Sequence, residues 1–342
     1  MQDLKLAFIG FGTVGQGFAR LLQSKESILI EEHDLKIEVT TIIDKVMGMV
    51  VDPGGVDLAN VLARVERDGK ISNEMEVDSR QMIKDGNFDV LVEVSFTDIE
   101  TAEPAISFIK AALQSGKHVI STNKGPPALA MKELEGLAKE NGVYYRYEGT
   151  VLSGTPCLNL SSEAMRGVSI HSIRGILNGT CNYILEEMEQ GTGYEQALNT
   201  AQELGYAEAD PTADVEGFDA ATKIVILANK LMNANLSVSD VDRSGIVGLT
   251  TDEIKKPDES GFKTKLIASA HRKNEKVNLQ VGVNKLTLAD PLANVNGVLN
   301  AATFSTDTLG DVTVIGPGAG SKATAQSLFS DLLAINDKLT TY

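Results

Sequence analysis

Leu4-Lys5-Leu6-Ala7-Phe8-Ile9-Gly10-Phe11-Gly12-Thr13-Val14-Gly15 is the stretch on which the fold turns. Its first six residues are a short, largely apolar run of the kind that makes a buried strand. Three glycines follow, and Val14, Phe18, Leu21 and Leu22 then recur at helical spacing. Strand, glycine loop and helix in that order form a dinucleotide fingerprint. Gly10 permits the tight turn, Gly12 lets backbone approach a pyrophosphate, and Gly15 lets helix and strand pack closely. The phosphates would rest on the helix amino terminus, where free N–H groups and the helix dipole favour anions.

Working outward, strands and helices alternate as an α/β, doubly wound parallel sheet requires. Strands are expected over 37–44, 89–94, 118–122 and 143–147, and helices over 56–67, 101–114 and 129–140. Asp44 ends the second strand, where an acid holds adenosine ribose hydroxyls and disfavours a 2′-phosphate. A solvated strand-end carboxylate is the plainer reading, and Lys45 beside it would tolerate a phosphate, so the residues lean to NAD over NADP without deciding. Lys124, in Ser121-Thr122-Asn123-Lys124-Gly125-Pro126, follows a strand's carboxyl end, where ligands gather in this architecture. It could neutralise an anion or donate to a reacting oxygen, or be a surface lysine before a turn.

Composition narrows the class. The chain has 342 residues, enough for two domains, and its 42% hydrophobic and 23% charged residues suit a globular protein. Its 47 acidic against 31 basic residues, a formal charge of −16, disfavour a nucleic-acid partner. No apolar run approaches the ~18 residues that span a membrane. Met1 leads almost directly into a strand, so no signal peptide is expected, and Cys157 and Cys181 are the only cysteines. That combination points to the cytoplasm. The four histidines are scattered, which argues against a zinc site.

After Tyr147 the pattern changes. Residues 148–156 are loop-like and rich in glycine and hydroxyls; the domain crossover falls here. Converging carbonyls there could hold a monovalent cation, although a plain hinge is the simpler reading. A strand over 169–177 delivers Asn178-Gly179-Thr180, and helices are expected over 183–189, 194–204 and 216–232. Strands are expected over 265–269, 277–283 and 285–288, and the tail returns through 312–315 into a glycine-rich loop and a last helix.

The densest chemistry lies at 205–223. From Glu208 to Lys223 the run holds five carboxylates and one lysine. Asp219 and Lys223 are four apart, so on a helix they share a face. Carboxylates hold an amino group, and a lysine that loses its proton is a base. A surface Asp–Lys pair, contributing only ~0.3–0.5 kcal/mol, is the bland alternative.

Along nearly its whole length the chain resembles the homoserine dehydrogenases. The resemblance is carried by residues 10–15, Thr122-Asn123-Lys124-Gly125-Pro126, 148–156, 174–180, 205–223 and Gly316-Pro317-Gly318-Ala319-Gly320. It implies interconversion of L-homoserine and L-aspartate 4-semialdehyde with NAD or NADP, on the route to threonine, methionine and isoleucine. It also implies a Rossmann domain (1–148, with a return at 312–342) and an α+β substrate and dimerisation domain (149–311), hence a homodimer. By resemblance, Lys223 transfers the proton and Lys124 assists at the cofactor–substrate junction. Glu208 and Asp219 bind the amino group or reacting end, and Gly179, Thr180, Tyr206 and Asp214 line the pocket. Phe11, Gly12, Thr13, Val14, Ser95 and Gly320 contact the dinucleotide. Glu148, Val151, Ser153 and Thr155 match the family's loop for Na+ or K+, mostly through backbone oxygens. Two departures stand at the cofactor edge: Val94-Ser95-Phe96-Thr97 is looser than usual, and a serine precedes Thr122. The chain ends soon after its last helix, so neither an aspartate kinase nor a regulatory domain is expected.

Two rival readings stay open. One is another Rossmann dehydrogenase, such as an aspartate-semialdehyde or hydroxy-acid enzyme. The former needs a nucleophilic cysteine, and Cys157 beside Pro156 is a poor candidate. The other is a catalytically silent dinucleotide-binding regulator, which would not need to keep Lys223, Asp219 and Glu208.

Overall fold

The computed structural model describes residues 1–72, 78–254 and 261–340. The chain divides into two compact units, residues 1–154 with 320–342, and residues 155–319.

The first unit is built on β1 (Gln2–Ile9), β2 (Leu35–Asp44), β3 (Gly48–Val51), β4 (Val90–Glu93), β5 (His118–Ser121) and β6 (Tyr145–Arg146), in the order β3-β2-β1-β4-β5-β6. All neighbours pair in parallel except β2 and β3. Leu6, Phe8, Val90, Leu91, Val92 and Ile120 are fully buried, as central parallel strands covered on both faces require. β3 is unanticipated by the alternation. It folds back on β2 because the Asp44 carboxylate accepts the N–H groups of Val46 (2.8 Å) and Met47 (2.9 Å), closing the turn. The order reverses between β1 and β4, which makes their carboxyl ends the binding edge of such a sheet. The last helix, Ser321–Thr340, lies against Thr13–Ser24, with Ser321 Oγ donating to the Thr13 carbonyl at 2.8 Å.

The second unit holds β7 (Ile170–Ile176), β8 (Val241–Arg243), β9 (Phe262–Lys273), β10 (Lys276–Thr287), β11 (Leu299–Thr306) and β12 (Asp311–Pro317), ordered β12-β11-β7-β9-β10-β8. Only β8 and β10 run parallel. The strands expected at 265–269, 277–283 and 285–288 are one long hairpin, turned at Asn274 with φ 56°. The tail strand expected to return to the dinucleotide domain pairs instead with β11, from Leu299↔Pro317 to Ser305↔Asp311. Gly310 (φ 69°) closes that hairpin, so the short loop holds β12 beside its predecessor and the crossing into the first unit comes later, at Gly320.

Helices Gly179–Glu189 and Phe218–Leu231 pack on this sheet. The helix expected over 216–232 begins at Phe218, because Gly217 in the left-handed region (φ 82°) separates it from the short turn Thr212–Val215. From Ala220 to Ala228 every residue is buried, so this stretch is covered all round and Lys223 lies within it. Among the described residues no helix is long and apolar enough to cross a membrane.

Candidate active site

In the second unit, the end of β7 and the start of helix Phe218–Leu231 bring together Leu177, Asn178, Asp214, Asp219 and Lys223. Lys223 Nζ donates to Asp219 Oδ2 at 2.6 Å and to the Leu177 carbonyl at 2.7 Å. Both members of the ion pair retain only 10% side-chain exposure, so this is no solvated surface pair. Asn178 caps the helix Gly179–Glu189 by accepting from Cys181 N at 2.9 Å. Its Nδ2 donates to Asp214 Oδ1 (2.6 Å) and Asp219 Oδ2 (3.0 Å), joining two carboxylates that would otherwise repel.

Gly179 follows at the start of that helix, where a Cβ would fall 2.4 Å from the Val298 carbonyl. No other residue fits there, and its backbone stays open to close approach. Thr180 Oγ1 donates to the Tyr206 carbonyl at 2.6 Å, tying the helix to the acidic run, and Tyr206 packs edge-on to Tyr183. Glu208 stands exposed on the same run, outside the hydrogen-bonded cluster around Lys223. Its carbonyl accepts from Gln202 Nε2 at 3.0 Å. Burial, with the charges of Asp214 and Asp219, pushes the Cys181 thiol well above its ordinary value, which holds it as the neutral thiol.

In the first unit, Gly10 takes φ 92°, and a Cβ there would fall 2.4 Å from the Val94 carbonyl. That approach presses the glycine loop against the end of β4. Gly12 caps Thr13–Ser24 with open space where a side chain would stand. Its backbone and the following helix N-terminus, at Thr13 and Val14, are therefore available to a pyrophosphate. Gly15 packs against the Gly10 carbonyl within the loop itself, 2.8 Å from where its Cβ would be. The Phe11 ring is fully buried against Phe8, which leaves only its backbone to meet a ligand.

The Phe11 N–H donates to Asp44 Oδ2 at 2.8 Å. Asp44 thus anchors the glycine loop as well as the β2–β3 turn, a role that its strand-end position alone does not reveal. Ser95 follows β4, Lys124 stands at the head of helix Gly125–Glu140, and Gly320 (φ 112°) precedes the last helix.

Glu148, Val151 and Ser153 are buried on the loop that closes the first part of this unit. The Glu148 N–H donates to Asp331 Oδ2 at 2.9 Å, and Ser153 Oγ bonds Thr324 Oγ1 at 2.7 Å. Leu152 and Ser153 are both left-handed (φ 55° and 53°), which turns successive carbonyls and fits a cation held by backbone oxygens. Thr155, in the second unit, donates to the Pro317 carbonyl at 3.0 Å.

Two members of the lysine cluster carry no separate signal in the sequence. The Leu177 carbonyl is invisible to side-chain reasoning. Asn178 stands out only as part of the Asn-Gly-Thr run; its capping of the helix Gly179–Glu189 and its bridging of two carboxylates come from the fold.

Residues 156–333 match the family model of homoserine dehydrogenase, and residues 10–148 match that of the homoserine dehydrogenase NAD-binding domain. The chain is 41% identical to an NAD(+)-dependent homoserine dehydrogenase of Pseudomonas canavaninivorans, over 99% of this chain and 98% of that protein. It is 40% identical to a homoserine dehydrogenase of Methanocaldococcus jannaschii, over 97% of this chain and 98% of that one. A solved hyperthermophilic archaeal homoserine dehydrogenase in complex with NADPH superposes with a TM-score of 0.84 at 29% identity, covering 98% of both chains. A dinucleotide loop, a buried lysine–carboxylate cluster and matches along the whole chain converge, and the chain belongs to the homoserine dehydrogenase family of NAD(P)-dependent oxidoreductases acting on a CH–OH group.

Proposed function

We propose that Lys223 is the proton-transfer residue in the interconversion of L-homoserine and L-aspartate 4-semialdehyde. The observation that carries this is the position of its Nζ, held by Leu177 and Asp219. An ammonium has three N–H donors. Two are taken by those partners, and the third is left for a substrate oxygen. In the reducing direction Lys223 polarises the aldehyde oxygen and delivers its proton as the C–O bond becomes a hydroxyl. In the oxidising direction neutral Lys223 takes the hydroxyl proton as the hydride leaves carbon. When bound, the nicotinamide accepts or supplies that hydride.

Asp219 fixes the lysine, and Asn178 fixes Asp219. Glu208 and Asp219 bind the substrate's amino group or reacting end, and Gly179, Thr180, Tyr206 and Asp214 line the pocket. Lys124 assists at the reacting oxygen. Gly10 to Gly15 with Ser95 and Gly320 hold the dinucleotide. Asp44, at the end of β2, favours NAD by its charge over a 2′-phosphate.

Glu148, Val151, Ser153 and Thr155 would hold a monovalent cation, whose charge would stiffen that loop. The enzyme works as a cytoplasmic homodimer in amino-acid biosynthesis. Absorbance at 340 nm with L-homoserine, with NAD and NADP supplied separately, tests substrate and cofactor choice together. Faster turnover with NAD is expected. Preference for NADP would overturn the role given to Asp44.

A further inference from the structure

Glu93 ends β4 as the last residue of Val90-Leu91-Val92-Glu93, where a central parallel strand calls for another aliphatic side chain. It is fully buried. A carboxyl in such a place is costly unless it is hydrogen-bonded. Here both oxygens accept hydrogen bonds. Oε1 accepts from the Ser95 N–H (3.1 Å) and Ser95 Oγ (2.5 Å), and Oε2 accepts from Ser121 Oγ at 2.9 Å, across on β5.

The chain of bonds then closes on itself. Ser121 Oγ accepts the Asn123 N–H at 3.0 Å. Asn123 Nδ2 reaches back to the carbonyls of Ser95 (3.5 Å) and Phe96 (3.4 Å), and Asn123 Oδ1 accepts the Gly125 N–H at 3.2 Å. One carboxyl therefore ties the loop after β4 to the loop after β5, in which Lys124 stands between Asn123 and Gly125. Burial raises this carboxyl above its ordinary range, against the pull of its hydrogen-bond donors. The fold spends stability on a polar clamp at the carboxyl ends of its central strands, where apolar packing would hold the sheet as well.

We propose that Glu93 is a positioning residue for hydride transfer, fixing the Ser95 and Asn123-Lys124 loops at the spacing the dinucleotide's reactive end requires. This rests on the dinucleotide lying along the β1, β4 and β5 ends, as given under the proposed function. Glu93 touches neither substrate nor cofactor. It acts through Ser95, Ser121 and Asn123.

The experiment uses the full chain and compares the parent with Glu93→Gln, Ser121→Ala and the double variant. Thermal melting, kcat, homoserine KM and cofactor Kd from reduced-dinucleotide fluorescence are read for each. Misplacing reacting groups by about 1 Å costs up to ~100-fold. The expected result is a kcat lower by ~10- to 100-fold and a weaker cofactor Kd, with homoserine KM within about twofold of the parent. The double variant should lose no more than the worse single one, because both substitutions cut the same link. A folded Glu93→Gln with kcat and cofactor Kd within about twofold of the parent overturns the proposal, as do losses that multiply in the double variant. If Glu93→Gln does not fold, Ser121→Ala decides alone: the same kcat loss supports the clamp, and parental kinetics overturn it. A parent that does not bind the dinucleotide overturns the cofactor site itself.

Discussion

The Nζ of Lys223 lies 2.7 Å from the carbonyl oxygen of Leu177, a residue 46 positions earlier at the end of a strand in the same unit. The bond crosses from helix to sheet, so the lysine is fixed from two sides, by its own helix through Asp219 and by the strand end that carries Asn178. A side chain held this way has few orientations to search.

Asn178 joins Asp214 to Asp219 and also caps its own helix, so two substitutions separate the roles. Asn178→Asp keeps a capping oxygen but sets a third carboxylate beside two others. It should keep the helix cap but melt below the parent, because like charges are buried together, and lose at least ~10-fold in kcat/KM. Asn178→Ala loses the cap as well, at a cost of ~1 kcal/mol. Melting curves and steady-state kinetics on the two variants check this; equal activity in parent and Asn178→Asp would remove Asn178 from the site.

Asp44 accepts backbone N–H groups of Phe11, Val46 and Met47. Asp44→Ser should therefore do two things. It should narrow the advantage of NAD over NADP, and it should raise KM for both cofactors by several-fold because the glycine loop loses its anchor. A change in preference with no loss of affinity would mean that the anchoring bonds are idle.

Lys265 is buried in the second unit, donating to Asn182 Oδ1 (2.9 Å) and the Val295 carbonyl (2.7 Å). Burial lowers its pKa from 10.5 to about 8, against the opposing pull of Glu189 and Glu186. Below about 8 the lysine is protonated in folded and unfolded chains alike, and the burial cost is felt in full. Between about 8 and 10.5 the unfolded chain binds more protons, so this group's contribution to stability rises with pH. Unfolding free energies of the parent and Lys265→Met, compared across that window, should move in the parent's favour as pH rises. A pH-independent difference would contradict it.

The cation loop gives a fourth test. If Glu148, Val151, Ser153 and Thr155 hold a monovalent ion, the melting temperature should be higher in potassium or sodium chloride than in choline chloride at equal ionic strength. Equal melting temperatures in all three salts would remove the site.

What could be read from the residues was local. The loop from Gly10 to Gly15 declares itself by spacing, and Asp219 and Lys223 share a helix face because four residues make about one turn. The turn into β3 was not legible, since it depends on the Asp44 carboxylate collecting amides that no periodicity marks. The place of β12 was misjudged because its sequence fits either sheet, and only the tight hairpin at Gly310 assigns it to the second. Leu177 meets Lys223, and Asn178 meets Asp214 and Asp219, through the folding of distant segments. The acidic run marks Glu208 and Asp219 alike, and nothing local tells that the fold leaves Glu208 exposed and Asp219 paired with Lys223.

The most direct test of the account is amine rescue of Lys223→Ala. The variant should bind the dinucleotide as the parent does and lose ~100- to 10,000-fold in kcat with L-homoserine. Added ethylamine should restore part of the rate in proportion to its concentration, since a free amine then takes the proton that Lys223 would have taken. Turnover within a few-fold of the parent, or a dead variant that no primary amine revives, would contradict proton transfer by Lys223.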